Sequence, residues 1–242
     1  MSFITRSTTI VTAVLALAAN ACSGSVARPV ESASLSPVVC AGGTVHDSAD
    51  AAEYAGCDVV KGDLRVSAPE LEDLEALQRL RAVSGTLEIS GNPQLDDLSG
   101  LERLSQVGEL LIRDNAGLET LHGLEGLKRA GKVVIENNGL YQAAGISRLG
   151  EVGDLVVRNN PRLNSLHGFR NLRHARSVEI QNNPRLCALG MLPALERVEQ
   201  QVTLKANRGL SKPDVRALLG RIERGLEQPA REVSAPRREA RL

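Results

Sequence analysis

The sequence predicts a β-solenoid, a stack of leucine-rich coils that each contribute one short parallel strand, closed at its C-terminal end by a helix. Three observations predict it. Glycines recur in register at Gly62, Gly85, Gly108 and Gly131, an interval of 23 residues, and again at Gly153 after a one-residue deletion. Periods of this size belong to architectures in which each unit buries its apolar face only against its neighbours. Within each unit the apolar residues first alternate with period two and then recur at every third position, which means a strand followed by tight turns. Finally, 42% of the residues are apolar, yet the chain has two Phe, two Tyr and no Trp, so its core must be built from Leu, Val, Ile and Ala.

Taken in chain order, residues 1–21 read as a signal peptide: Arg6 in a polar start, the apolar run Ile10 to Ala19, and the exit Ala19-Asn20-Ala21. The run is shorter than the roughly 20 apolar residues of a spanning helix, and no later stretch supplies one. Two readings meet at Cys22. Ala19-Asn20-Ala21 fits the small-x-small site of ordinary secretion, whereas Ala21-Cys22-Ser23-Gly24-Ser25 resembles the lipobox of bacterial lipoproteins, whose cysteine is acylated. That pattern usually has Leu where Ala19 stands and a small residue where Asn20 stands. A lone cysteine at the cleavage point followed by a Ser/Gly stretch favours the lipoprotein. The next residue, Ser and not Asp, resembles outer-membrane sorting. Residues 22–39, rich in Ser, Ala and Pro and without periodicity, are expected to form a flexible tether spanning on the order of 20 Å.

Residues 62–210 carry the repeats. The unit reads G-x-L-x-I-x-x-N-x-x-L-x-x-L-x-x-L-x-x-L-x-x-V, exemplified by Gly85, Leu87, Ile89, Asn92, Leu95, Leu98, Leu101, Leu104 and Val107. Seven alternating pairs predict seven strands: Leu64 and Val66, Leu87 and Ile89, Leu110 and Ile112, Val133 and Ile135, Leu155 and Val157, Val178 and Ile180, Val202 and Leu204. Asn92, Asn115, Asn138, Asn160, Asn183 and Asn207 fall where each strand turns its corner, and there an amide can satisfy buried donors and acceptors at once. Stacked, they form an internal ladder. Pro69 replaces the asparagine in the first rung, as befits an end repeat. Beyond the repeats, Ser211-Lys212-Pro213-Asp214 resembles a capping box and opens a helix over 211–228 that is expected to cover the last rung and hide its open edge. The tail 229–242, rich in Arg and poor in apolar residues, is expected to be disordered.

Generic leucine-rich repeats continue N-x-L after the asparagine. Here the spacing is N-x-x-L, as in Asn160-Pro161-Arg162-Leu163, and this resembles the receptor L domain, the ligand-binding β-solenoid of insulin-receptor-type and epidermal-growth-factor-receptor-type ectodomains. The front end resembles it too: Cys40, a short helix over Ser48 to Ala55, then Cys57 leading into Gly62-Asp63-Leu64-Arg65-Val66. The resemblance runs from about Cys40 to Leu226. It implies an N-terminal cap over 40–61 closed by a Cys40–Cys57 disulfide, which the oxidising compartment of an exported protein permits. It also implies a binding fold with a protein, peptide or glycan ligand, without implying a hormone.

The binding face is expected on the outward side of the strands. Its middle row reads Arg65, Glu88, Leu111, Val134, Val156, Glu179, Thr203, so Leu111, Val134 and Val156 make an aliphatic strip. Arg113, Glu136 and Arg158 border it on one side, and Glu109, Lys132 and Asp154 on the other. An apolar centre with a charged rim is a common recognition arrangement; the competing reading is that aliphatic residues simply favour strands.

Other chemistry finds little support. Lys plus Arg and Asp plus Glu balance at 29 each, which removes the footprint of a nucleic-acid binder. His122 and His167 share a repeat position two rungs apart, on the order of 10 Å, too far to share one zinc unaided; they are expected as surface turn residues. Cys187 has no base beside it and is expected as a packed thiol. No triad, phosphate loop or paired Cys-x-x-Cys motif is found, so no enzyme activity, cofactor or metal is expected. Two functions remain: a cell-envelope recognition module held by a lipid anchor, or a structural envelope lipoprotein without a dedicated ligand.

Overall fold

The computed structural model describes residues 36–187 and 192–227. The expected signal peptide, Cys22 and residues 229–242 lie outside the described residues. Eight strands form one parallel sheet in strict chain order: β1 Val39–Val45, β2 Val59–Val66, β3 Ala82–Ser90, β4 Gln106–Arg113, β5 Arg129–Glu136, β6 Glu151–Arg158, β7 His174–Gln181 and β8 Arg197–Lys205. Helix α1 spans Ser48–Glu53 and helix α2 spans Lys212–Glu227.

Each coil is a strand followed by a leucine-rich return. In the unit of β3, Leu87, Ile89, Leu95, Leu98, Leu101 and Leu104 are all fully buried, and their counterparts stack on them from rung to rung. Returns of this kind bring the chain back to the start of the next strand, which makes every pairing parallel. Two of them contain a 3₁₀ turn, Glu75–Leu77 and His167–Phe169. From β4 to β7 the register is unbroken, with Leu110, Val133, Leu155 and Val178 aligned.

The strand number differs from the seven expected, because β1 arises within the segment assigned to tether and cap. Only Val45 among its residues is buried, so Val-Cys-Ala-Gly-Gly-Thr-Val shows no period-two apolar signal. Its pairing with β2 also shifts register between Ala41 and Gly43. The same region is held by a disulfide between Cys40 and Cys57, worth about 3 kcal/mol for a loop of this length. Asp58 adds a second tie. Its carboxylate accepts the Val38 N–H at 2.9 Å and pairs with Arg79 at 3.1 Å. The Val38 hydrogen bond, then Arg79 and Arg81, outweigh burial and hold this carboxyl below its usual range. Residues 38 and 39 therefore belong to the folded unit and not to the tether.

The corner asparagines do two things each. Every side-chain oxygen accepts the backbone N–H of the preceding corner: Asn115 from Asn92 at 3.0 Å, Asn138 from Asn115 at 3.2 Å, Asn160 from Asn138 at 3.0 Å, Asn183 from Asn160 at 3.0 Å, Asn207 from Asn183 at 2.9 Å. Every amide nitrogen donates to the strand-end carbonyl of the preceding rung, from Asn92 to Val66 at 3.2 Å through to Asn207 to Ile180 at 2.7 Å. Asn92 starts the ladder by accepting the Ala68 N–H, and Pro69 stands outside it, exposed.

The residue before each corner is left-handed: Asp114, Asn137, Asn159, Asn182 and Ala206 have φ between 52° and 58°. Asp and Asn tolerate this backbone better than other residues with a Cβ. Asn137, next to the ladder residue Asn138, shows what these positions do. It is exposed, but its amide also donates to Asp114 at 2.9 Å, and Asn182 donates likewise to Asn159 at 2.8 Å. Helix α2 begins where Ser211 accepts the Asp214 N–H at 3.1 Å, and it buries Leu218 and Ile222 against the last rung.

Replacing Asn138 by Ala strands a buried N–H and a buried carbonyl and should cost roughly 1–3 kcal/mol in urea unfolding. Asn137→Ala should cost less, about 1 kcal/mol for the left-handed backbone, and Asn137→Gly should recover most of that loss. Equal midpoints for Asn138→Ala and Asn137→Gly would contradict the ladder at this rung.

Candidate functional site: the outward face of the sheet

The unbroken register of β4–β7 converts sequence repeats into rows of side chains crossing the strands. Leu111, Val134 and Val156 are directly paired neighbours, and the row continues through Glu88 on one side and Glu179 and Thr203 on the other. All three apolar members are half-buried.

The flanking charges are largely neutralised on the sheet itself. Glu88 receives Arg113 at 2.5 Å and lies 3.7 Å from Arg65, and Arg158 pairs with Glu136 at 2.9 Å. On the other side Arg176 pairs with Asp154, its Nε at 3.0 Å from Oδ1, while Ser177 donates to the same oxygen at 2.7 Å. Burial pushes the Glu88 carboxyl up, but the hydrogen bonds from Arg113 and Ser90 and the charges of Arg113 and Arg65 outweigh it and hold the group below its usual range. Asp154 is held low chiefly by its bond to Arg176. Paired charges cost less to desolvate than lone ones, so a ligand can cover Arg113, Glu136, Arg158 and Asp154 with their partners in place.

Beside the strip lies a feature the sequence reading missed. A trough of about 910 Å³ crosses β4–β8 near the starts of the strands. One wall is the register row Gln106, Arg129, Glu151, His174, Arg197; the floor includes Val107, Ala130, Val152 and Ala175. Gly108, Gly131 and Gly153 run along it without side chains. A Cβ on Gly131 would come within 2.7 Å of the Gly108 carbonyl oxygen, so strand spacing demands the glycine and the open trough results. Extra residues bound it at both ends: Ser84 and Gly85 stand opposite Gly108, and Glu199 and Gln200 stand opposite Arg176. The glycine register was the available signal, but it was read only as the mark of a repeat.

The other expected residues fall elsewhere. The ladder asparagines lie at the strand corners, inside the solenoid except at Asn207, and Cys40 and Cys57 lie in the N-terminal cap, so neither set contributes to this face. His122 and His167 are exposed on the returns, His122 with its Nδ1 2.6 Å from Glu125. Cys187 is exposed and not packed, its sulfur 3.5 Å from the Asn164 carbonyl oxygen. It follows the ladder leucine Leu186, whose burial leaves the next side chain pointing outward.

The receptor L domain family model matches residues 56–147, the segment that contains β2–β5. No curated protein matches the chain by sequence. Over that segment the match agrees with the resemblance read from the repeat, and the parallel solenoid with its C-terminal helix is consistent with the receptor L domain fold. Receptor L domains are ligand-binding modules whose ligands are proteins.

Glu88→Gln should lower stability by about 1 kcal/mol at neutral pH, since it removes the charge that Arg113 and Arg65 share. A carboxylate held low contributes stability that is present above its unfolded value and lost as pH falls through its folded value. Unfolding midpoints of parent and variant should therefore converge on acidification through and below the carboxylate range. A gap that stayed constant with pH would contradict this role.

Proposed function

We propose that this chain is an exported, envelope-anchored recognition module that captures a protein, or a peptide or glycan borne on the cell surface, on the outward face of β4–β6. It acts by binding and not by catalysis. The leading support is the aligned strip of Leu111, Val134 and Val156 framed by self-neutralised ion pairs. Such a surface offers apolar area at its centre and, at its rim, the paired charges Arg113, Glu136 and Arg158 that need no new partner, which favours reversible recognition. The trough beside it extends the same face. The leader and Cys22 support attachment to the envelope, with outer-membrane sorting as the reading and simple secretion as its alternative.

The test is co-purification from the native envelope with Val134→Glu as the decisive variant. The strip sits on the sheet surface, so this variant should fold with nearly parental stability and lose capture of one stoichiometric partner, while Glu88→Ala should weaken capture less. Unchanged capture by folded Val134→Glu would remove this face as the site, and a broad mixture of abundant envelope components would favour a structural role. Cys22→Ser should move the protein from the membrane fraction to the soluble one; no change in fractionation would argue against the lipid anchor.

A further inference from the structure

The corner ladder ends with two groups that fit one missing side chain. Strand β8 pairs only with β7, so its other edge is open among the described residues. Every corner asparagine from Asn92 to Asn183 donates its backbone N–H to the side-chain oxygen of the next asparagine; the Asn207 N–H makes no hydrogen bond among the described residues. Likewise the strand-end carbonyls of Val66, Ile89, Ile112, Ile135, Val157 and Ile180 each accept the amide of the following corner. Leu204 is next in that series. The neighbouring Lys205 carbonyl accepts the Asn182 N–H at 3.0 Å on the β7 side, so alternation along a strand points the Leu204 carbonyl to the open edge.

Beside these groups is an apolar pocket of about 570 Å³ between the end of β8 and α2, lined by Leu204, Leu210, Val215 and Leu219 among others. Val202 and Leu204 are half-exposed, whereas their counterparts in the six preceding rungs are fully buried. In the rungs of Asn92, Asn115, Asn160 and Asn183 the leucine three residues after the corner asparagine is fully buried, and after Asn138 it is Leu140, two residues on. The donor, the acceptor and the pocket together therefore have the form of a receptor for Asn-x-x-Leu.

We propose that the free edge of β8 and this pocket form a docking site for an extended segment of a partner protein. It lies parallel to β8, its asparagine amide bridging the Asn207 N–H and the Leu204 carbonyl, and its following apolar side chain fills the pocket. This is strand addition with a side-chain specificity element. A primary amide presents an acceptor and a donor on one planar group, as the corner asparagines do; aspartate meets the N–H but repels the carbonyl. The corner asparagines Asn92, Asn115, Asn138, Asn160 and Asn183 of a folded second copy do not supply the group, because they are buried in its own ladder. The site is separate from the sheet face of the proposed function and stands or falls without it.

The probe is a fluorescent synthetic peptide with the sequence of residues 151–163, together with versions carrying Asn160→Asp or Asn160→Ala, titrated into the full chain. The parental peptide should bind, each substituted peptide should bind at least about tenfold more weakly, and hydrogen exchange should slow across 197–205. Leu219→Glu in the protein, at a position already exposed, should abolish binding, and Val134→Glu should leave it intact. Three results overturn the proposal: equal binding of the Asn and Asp peptides, protection that maps to β4–β6, or an edge already protected in the free chain, which would mean that another copy or the chain itself covers it.

Discussion

One hydrogen-bond arrangement holds the rest of the structure in place: the side-chain amide of each corner asparagine joined to the backbone of the rung before it. Where a strand leaves the sheet and turns into its return, an N–H and a C=O lose their ladder partners inside an apolar column. Leaving them unpaired would cost a few kcal/mol at each corner. A primary amide satisfies both, and because the acceptor and donor lie on one planar group it also fixes how far one coil stands from the next. The aliphatic column supplies the driving force for stacking, but leucines alone would tolerate sliding. The amide ladder does not.

That fixed spacing gives the outward face its order. Repeats of 22 or 23 residues, each closed by the same corner, put residues at equivalent positions side by side over β4–β7, the one-residue deletion between β5 and β6 falling in the return, where Leu140 follows Asn138 by two residues. The aliphatic strip, the ion-paired rows and the glycine trough are all products of this register. Its limits are visible where a strand itself gains residues. Additional residues in β3 and β8 shift the pairing and bound the trough, and the last corner is made by Ala206 in a left-handed conformation that asparagine or aspartate occupies in the four preceding corners.

The solenoid was legible in the sequence because its signal recurs: a buried pair, a corner asparagine and leucines at every third position, repeated until chance is an inadequate account. The strip of Leu111, Val134 and Val156 was legible for the same reason, since alternation assigns faces. Strand β1 was not, because it repeats nothing and buries only Val45. Neither was the trough, which is made by absent side chains and becomes a surface only when glycines from different rungs are set side by side. Cys187 was misread because its neighbour Leu186 carries the inward position, and a one-residue step along an irregular return reverses the direction of the side chain. The left-handed bond at Asn137 is likewise a consequence of the corner geometry and has no periodic signature of its own.

The measurement that bears most directly on the ladder is residue-resolved amide hydrogen exchange under native conditions. The backbone N–H groups of Asn92, Asn115, Asn138, Asn160 and Asn183 lie outside the strands, yet each donates to a corner side-chain oxygen, buried in all but the last, Asn207. They should exchange as slowly as the central strand amides and only by opening of the whole stack, while the Asn207 N–H at the open end should exchange at the rate of a surface loop. If all six exchanged at loop rates, or if Asn207 were as protected as the other five, corner amides would not be what holds this solenoid in register.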